Sequence, residues 1–300
     1  MPKELISDFI AGWVAGGAGL VVGHPMDTVK TRLQSMPYAG AMQCFRRTLQ
    51  QESVWGFYKG MFAPFMAVGF LHSIYFSGYA ATLKLLNPST DVKHKDFKPS
   101  LSHAAIGSMV GAFLQWIPAV PIDVVKVNLQ LQQEKARELV AHGRPVLHAY
   151  ASPLDCARKL AAEHGLRHGL YRGAGIMLTR DMIGYLFYLP VYELLYPRCD
   201  FGSPVSASLL AGGITGGISW LSIMPLDLVK TRLQSQGQGQ AFLGVSDCIR
   251  QTYREGGVGQ FYRGAGVMIL RAFPVNAVLF LAYSQIRARL DQAAVFRDAL

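Results

Sequence analysis

A ten-residue segment that occurs three times constrains this chain more than any other feature. The copies are Pro25-Met-Asp-Thr-Val-Lys-Thr-Arg-Leu-Gln34, Pro121-Ile-Asp-Val-Val-Lys-Val-Asn-Leu-Gln130 and Pro225-Leu-Asp-Leu-Val-Lys-Thr-Arg-Leu-Gln234. They recur after roughly 100 residues, the mark of an internal repeat. Each is followed by an aromatic-basic-Gly tripeptide: Tyr58-Lys59-Gly60, Tyr171-Arg172-Gly173 and Tyr262-Arg263-Gly264. Two motifs in one order, three times over, define three repeats, expected at 1–92, 93–199 and 200–300 and together forming one domain.

Within each repeat two long apolar segments flank a polar stretch. The first segments run at about 5–35, 101–133 and 204–236, the second at about 61–86, 174–196 and 265–290. A helix needs about 20 residues to cross a bilayer, and each segment is long enough. The runs do not alternate, which disfavours strands. Composition agrees: 51% hydrophobic and 16% charged residues, with a mean hydropathy of +0.22, are too apolar for an ordinary soluble enzyme. The expected fold is an all-α membrane protein with six transmembrane helices in three repeats and both termini on one side. Stretches near 41–51, 152–162 and 244–254 read as short surface helices, and about 134–150 as a mobile polar loop. Small residues ahead of each proline (Gly12/Gly16, Ser108/Ala112, Gly212/Gly216) are expected to let helices approach closely.

The net charge is +10. The basic residues recur beside apolar segments and form no cationic stripe, zinc module or RNA-binding motif, so they read as loops beside membrane spans and not as a nucleic-acid surface. Met1-Pro-Lys-Glu leads straight into the first apolar segment, so any targeting address is expected inside the chain. Cys44, Cys156 and Cys248 share roughly one repeat position and read as incidental thiols. No phosphate loop, nucleophile triad or metal-ligand spacing appears, so no catalytic residue, metal or cofactor is expected.

Proline inside a helix removes a backbone hydrogen bond and bends the chain. Asp and Lys three residues apart then share one helix face. Charges within a membrane are costly unless paired or wetted, which makes them functional candidates. With threefold symmetry the six can close a ring: Asp27 to Lys126, Asp123 to Lys230, and Asp227 to Lys30. Gln34, Gln130 and Gln234, one turn beyond each lysine, are expected to cap those pairs.

These motifs resemble the signature of the mitochondrial carrier family (solute carrier 25), Pro-x-Asp/Glu-x-x-Lys/Arg followed by aromatic-basic-Gly, over essentially the whole chain. The resemblance implies a six-helix bundle in the mitochondrial inner membrane with its termini in the intermembrane space. The charged ring would be a matrix-side gate, and one central site would open alternately to either side. Ser53 stands where the family usually has an acidic-Gly pair, and Asn128 where it has a second basic residue. The opposite, cytoplasmic gate would comprise Tyr79, Tyr192, Glu193, Tyr283 and Arg287, with Glu193 to Arg287 its one ion pair. One pair against three implies a resting state closed to the matrix. Helix-end amides beside each aromatic-basic-Gly could hold cardiolipin headgroups, and the protein is expected to act as a monomer.

Charges near mid-helix outside the gates are the substrate candidates: Arg180, Asp181 and Arg271. Arg suits a carboxylate and Asp a cation, so the expected solute carries both charges. Arg271-Ala-Phe-Pro-Val-Asn276 and Gly23-His-Pro-Met-Asp-Thr-Val-Lys30 resemble the carnitine/acylcarnitine and ornithine carrier branch and its less characterised relatives. That resemblance places Arg180-Asp181 at a second contact point, and Ala67 and Val68 at a first. His24 could line the cavity floor, and Trp116 and Trp220 could offer indole faces to a quaternary ammonium. The expected function is transport of a small cationic or zwitterionic metabolite: carnitine-like, choline-like, or a basic or methylated amino acid. The alternatives are a nucleotide or cofactor carrier, or a transport-inactive scaffold on the same fold.

Overall fold

The computed structural model describes residues 2–88, 100–141, 150–199, 204–235 and 242–298. Among the described residues the chain is helical, without a strand. The order is α1 (Pro2–Ser35), α2 (Ala41–Glu52), α3 (Phe62–Leu86), α4 (Leu101–Ala141), α5 (Pro153–Gly165), α6 (Ala174–Leu195), α7 (Pro204–Gln234), α8 (Val245–Phe261) and α9 (Ala265–Asp298). Each repeat is thus long helix, short helix, long helix. The first long helices, α1, α4 and α7, carry the signature prolines in their interiors.

Long helices pack chiefly across repeat boundaries: α3 on α4, α6 on α7, and α9 back on α1, which closes the bundle. The α3–α4 crossing depends on glycine. A Cβ on Gly111 would fall 2.6 Å from the carbonyl oxygen of Tyr75, and one on Gly78 would fall 3.1 Å from the Cα of Gly111. No side chain fits between backbones so close. Of the expected small pairs, Gly16 faces Val68 of α3, and Gly216 faces Ala272 of α9. Gly12 makes no such contact among the described residues.

The polarity of the bundle is inverted relative to a soluble protein. Large apolar side chains stand exposed along the long helices, as in the stripe Leu210, Ile214, Ile218 and Leu221 on α7. Their i, i+4, i+8, i+11 spacing is one helix face, turned toward hydrocarbon. Asp27, Lys30, Asp227 and Lys230 are buried instead. By length and composition alone, two stretches among the described residues, Val54–Leu86 and Ser102–Ala141, would be read as membrane spans.

One expectation changes. Residues 134–141 are not a loop, because α4 continues to Ala141. The segment Glu134-Lys-Ala-Arg-Glu-Leu-Val-Ala141 consists almost wholly of good helix formers, without Gly or Pro, and Glu134 is held by Arg32 and Arg137. Residues 142–149 lie outside the described ones. The three cysteines, read as thiols without disulfide or metal chemistry, are free and fully buried, each in one of three apolar clusters under the surface helices. Burial pushes the thiols of Cys44 and Cys248 up to about 11 and that of Cys156 to about 12, so they stay protonated and unreactive.

The surface segments share one backbone break: Gly165 ends α5 at φ 71°, and Gly257, at φ 62°, is a non-helical kink within α8. The first repeat puts Ser53 there, at φ 60° and ψ −173°, a region that glycine tolerates and other residues reach only under strain. The second repeat then fits one more residue before its tripeptide by forming a π-helical turn, Leu166–Leu170, where the first has a 3₁₀ turn, Val54–Tyr58. Ser53→Gly is expected to stabilise the protein by about 1 kcal/mol, read as a higher unfolding temperature in detergent.

Candidate functional site

At the ends that follow their prolines α1, α4 and α7 converge, and the Pro-x-Asp-x-x-Lys charges meet there. Lys126 Nζ lies 3.2 Å from Asp27 Oδ2, Lys230 Nζ lies 2.5 Å from Asp123 Oδ2, and Lys30 pairs with Asp227 Oδ2. Each pair joins two different repeats, so the three close a ring around the bundle axis. The side chains are between 1% and 22% exposed. Removing one partner would strand a charge in a poorly solvated site, which costs far more than losing a surface pair.

The glutamines divide. Gln34 Nε2 donates to Asp227 Oδ2 at 3.2 Å and braces its pair. Gln130 instead donates to Thr28 Oγ1 at 3.1 Å, and Gln234 points its amide at Met177 Sδ, 4.0 Å away. The expectation of three caps therefore corrects to one. The hydroxyl of Thr28 and the thioether of Met177 take those amides in place of the carboxylates.

A second ring lies one turn beyond the first, and sequence reasoning missed it. Arg32 Nε donates to the carbonyl of Gln130 at 3.3 Å, Asn128 Nδ2 to that of Gln234 at 3.0 Å, and Arg232 Nε to that of Gln34 at 2.9 Å. The carbonyls of Gln34 and Gln234 belong to the last turns of α1 and α7, where helices leave acceptors unpaired and concentrate negative potential. Asn128, a departure from the signature, gives its repeat the same donor. Its presence two residues after Lys126, as Arg32 and Arg232 follow Lys30 and Lys230, was the available signal.

The arginines of this ring also anchor the surface helices. Arg32 binds both oxygens of Glu52, at 2.7 and 2.9 Å, and reaches Glu134 at 3.1 Å and Thr48 at 3.0 Å. Lys59 binds Glu52 at 2.9 Å. Arg232 binds Glu255 at 2.7 Å and Thr252 at 3.0 Å. Burial alone would raise the Glu52 carboxyl, but hydrogen bonds from Arg32 and Lys59 outweigh it and hold the group below its ordinary range.

Arg271 and Arg180 stand beside the ring. Arg271 Nε is 2.8 Å from Asp27 Oδ1, and Arg180 Nε is 3.4 Å from Asp227 Oδ1. Arg180 Nη1 also binds Asp181 Oδ1 at 2.6 Å. The Trp220 ring faces both Lys30 Nζ, 5.9 Å from its centroid, and the Arg180 guanidinium, 5.5 Å away. These residues form one cluster: two arginines, an exposed-edge carboxylate and an indole above a ring of paired charges.

Other candidates lie apart from it or pack differently. Trp116 donates its indole N–H to the carbonyl of Ala174 at 3.0 Å and stacks on Phe113, between α4 and α6. His24 is fully buried in the floor, with Nε2 3.1 Å from the Lys59 carbonyl oxygen and its ring stacked on Tyr58. Val68 packs on Gly16, while Ala67 keeps partial exposure. Tyr79 lies against Gly107 of α4 and stacks on Tyr75. The side chains of Tyr192, Glu193, Tyr283 and Arg287 lie outside the described residues.

The second ring carries a measurable consequence. Asn128→Ala leaves the terminal carbonyl of Gln234 without its inter-repeat donor and is expected to cost about 1–2 kcal/mol, read as a lower unfolding temperature of the unliganded protein.

The model of the mitochondrial carrier protein family matches residues 2–90, 97–198 and 202–293. Solute carrier family 25 member 48 of Mus musculus is 38% identical over 288 residues, covering 93% of each chain. Solute carrier family 25 member 45 of Mus musculus is 38% identical over 288 residues, covering 94% of this chain and 97% of its own. The mitochondrial basic amino acids transporter of Bos taurus is 36% identical over 305 residues, covering 97% and 95%. Three repeats, six long helices and a closed ring of Pro-x-Asp-x-x-Lys pairs thus coincide with a family match over nearly the whole chain, and the protein belongs to the mitochondrial carrier family, as a solute transporter and not an enzyme.

Proposed function

We propose that the protein moves a small cationic or zwitterionic metabolite across the mitochondrial inner membrane by alternating access. A carnitine-like or choline-like solute and a basic or methylated amino acid all fit that class, and the name of the bovine relative favours a basic amino acid. The observation that carries the reading is the cluster of Arg180, Asp181 and Arg271 beside the ring of paired charges. The guanidinium groups match a carboxylate and Asp181 matches an ammonium. A nucleotide carrier would need a wholly cationic cluster, and Asp181 opposes that.

In this reading the three Asp–Lys pairs are the matrix gate, and the resting protein is closed on that side with its termini in the intermembrane space. The gate opens when the substrate binds the open-going state better than the resting one. The repeats at 1–92, 93–199 and 200–300 act together as one transport unit, a monomer with cardiolipin held at the helix ends beside the aromatic-basic-Gly turns.

The test is uptake into proteoliposomes of carnitine, acylcarnitines, choline, lysine, ornithine, methylated lysines and adenine nucleotides. Uptake of a cationic or zwitterionic solute is expected. It should fall by about 100-fold in Asp181→Ala or Arg271→Ala, as for loss of a charge-assisted contact in a desolvated site. Nucleotide uptake that persists in Asp181→Ala would overturn the substrate reading, and the absence of any uptake by folded protein would favour the scaffold.

A further inference from the structure

Two of the three ring carboxylates are held twice. Asp27 pairs with Lys126 and also with Arg271, whose Nε lies 2.8 Å from Oδ1 as an ion-pair contact without hydrogen-bond alignment and whose Nη2 donates to Oδ2 at 3.4 Å. Asp227 pairs with Lys30 and Gln34 on one oxygen and meets Arg180 Nε on the other at 3.4 Å. Asp123 is paired with Lys230. The asymmetry has a source in sequence. Arg180 and Arg271 are each the seventh residue after the glycine of their tripeptide, and the seventh after Gly60 is Ala67. Only two repeats therefore possess a guanidinium at this level.

Space for the closer of the two contacts is made by α1 itself. A Cβ on Gly23 would fall 2.9 Å from both Nε and Nη2 of Arg271, and 2.9 Å from Cγ2 of Val275. The guanidinium thus lies in a slot over Gly23, and that slot aims its Nε and Nη2 edge at Asp27 one turn further along the same helix.

We propose that Arg271 is a latch on the gate, positioned by Gly23, and that a carboxylate on the substrate releases it. In the unliganded protein the donor edge of Arg271 is occupied by Asp27. A solute carboxylate that binds there takes the place of the Asp27 carboxylate, so Asp27 keeps Lys126 alone and the α1–α4 pair loses a brace. Binding and unlocking are then one exchange of anions at one guanidinium, with no charge left unpaired at either stage. A solute without a carboxylate gains nothing from this exchange and is carried more slowly. This rests on the reading of the cluster as a substrate site, and it adds what the substrate must carry and why binding opens the gate.

The latch itself is tested without any substrate, by a double-mutant cycle on purified, unliganded protein. Arg271→Gln, Asp27→Asn and the pair are compared by thermal unfolding. The expected result is strong non-additivity: Arg271→Gln lowers the unfolding temperature by several degrees in the native background and by much less beside Asp27→Asn. Additive losses would overturn the latch. Gly23→Ala keeps every charge and supplies a second arm in proteoliposomes, with L-lysine and its decarboxylated form cadaverine as probes. L-lysine uptake is expected to fall by about tenfold while cadaverine uptake stays within about twofold, the signature of a lost carboxylate contact. Equal losses for both probes would overturn the role of Gly23. If the native protein carries neither probe while the cycle remains non-additive, the latch stands and the basic-solute reading falls.

Discussion

The cost of placing charge in a poorly solvated interior organises this molecule. Three helices each bring an acid and a base into the bundle, and each acid takes as its counterion the lysine of a neighbouring repeat and not the one three residues along its own helix. That pairing links the repeats in cyclic order and holds α1, α4 and α7 together at the ends that follow their prolines. The apolar stripes on the outer faces follow from the same inversion, since the surface left over meets hydrocarbon.

Two layers hold the closed end, and they differ in kind. Side-chain ion pairs are strong but exchangeable: any competing ion of the right shape can take one partner. The bonds from Arg32, Asn128 and Arg232 to backbone carbonyls are individually weaker, and their acceptors are fixed parts of the helices, two of them in last turns. The arginines in that layer reach outward to Glu52 and Glu255, so the short helices α2 and α8 are tied to the core by the same residues that tie repeats together. Loosening the layer would be felt at the surface of the protein, where α2 and α8 lie.

Much of this was legible in the sequence because it repeats. The long helices, the surface helices and the partners in the charged ring all followed from motifs present three times, where each copy checks the other two. The failures fall where the copies differ or where backbone is involved. Asn128 looked like a loss because side-chain identity was compared, whereas its amide supplies a donor as arginine does. Gln130 and Gln234 were expected to behave like Gln34, but Thr28 and Met177, which the motif does not specify, intercept them. The extension of α4 was masked by polarity: a solvated helix and a solvated loop have similar composition, and only the helix-forming character of residues 134–141 separates them. The contact of Arg271 with Asp27 depends on how α9 lies against Gly23 of α1, which no local pattern encodes.

The length of α4 has a mechanical consequence. Twenty residues separate Pro121 from Ala141, which at about 1.5 Å per residue makes an arm of about 30 Å beyond the kink. A rotation of about 10° at that proline, small for a helix bend, sweeps the tip through about 5 Å by simple lever geometry. Glu134 and Arg137 ride on this arm and grip Arg32 and Glu52 of the first repeat. The second repeat thereby has an outrigger that the other two lack among the described residues, and a modest hinge movement deep in the bundle is amplified into a displacement large enough to be seen from the aqueous side.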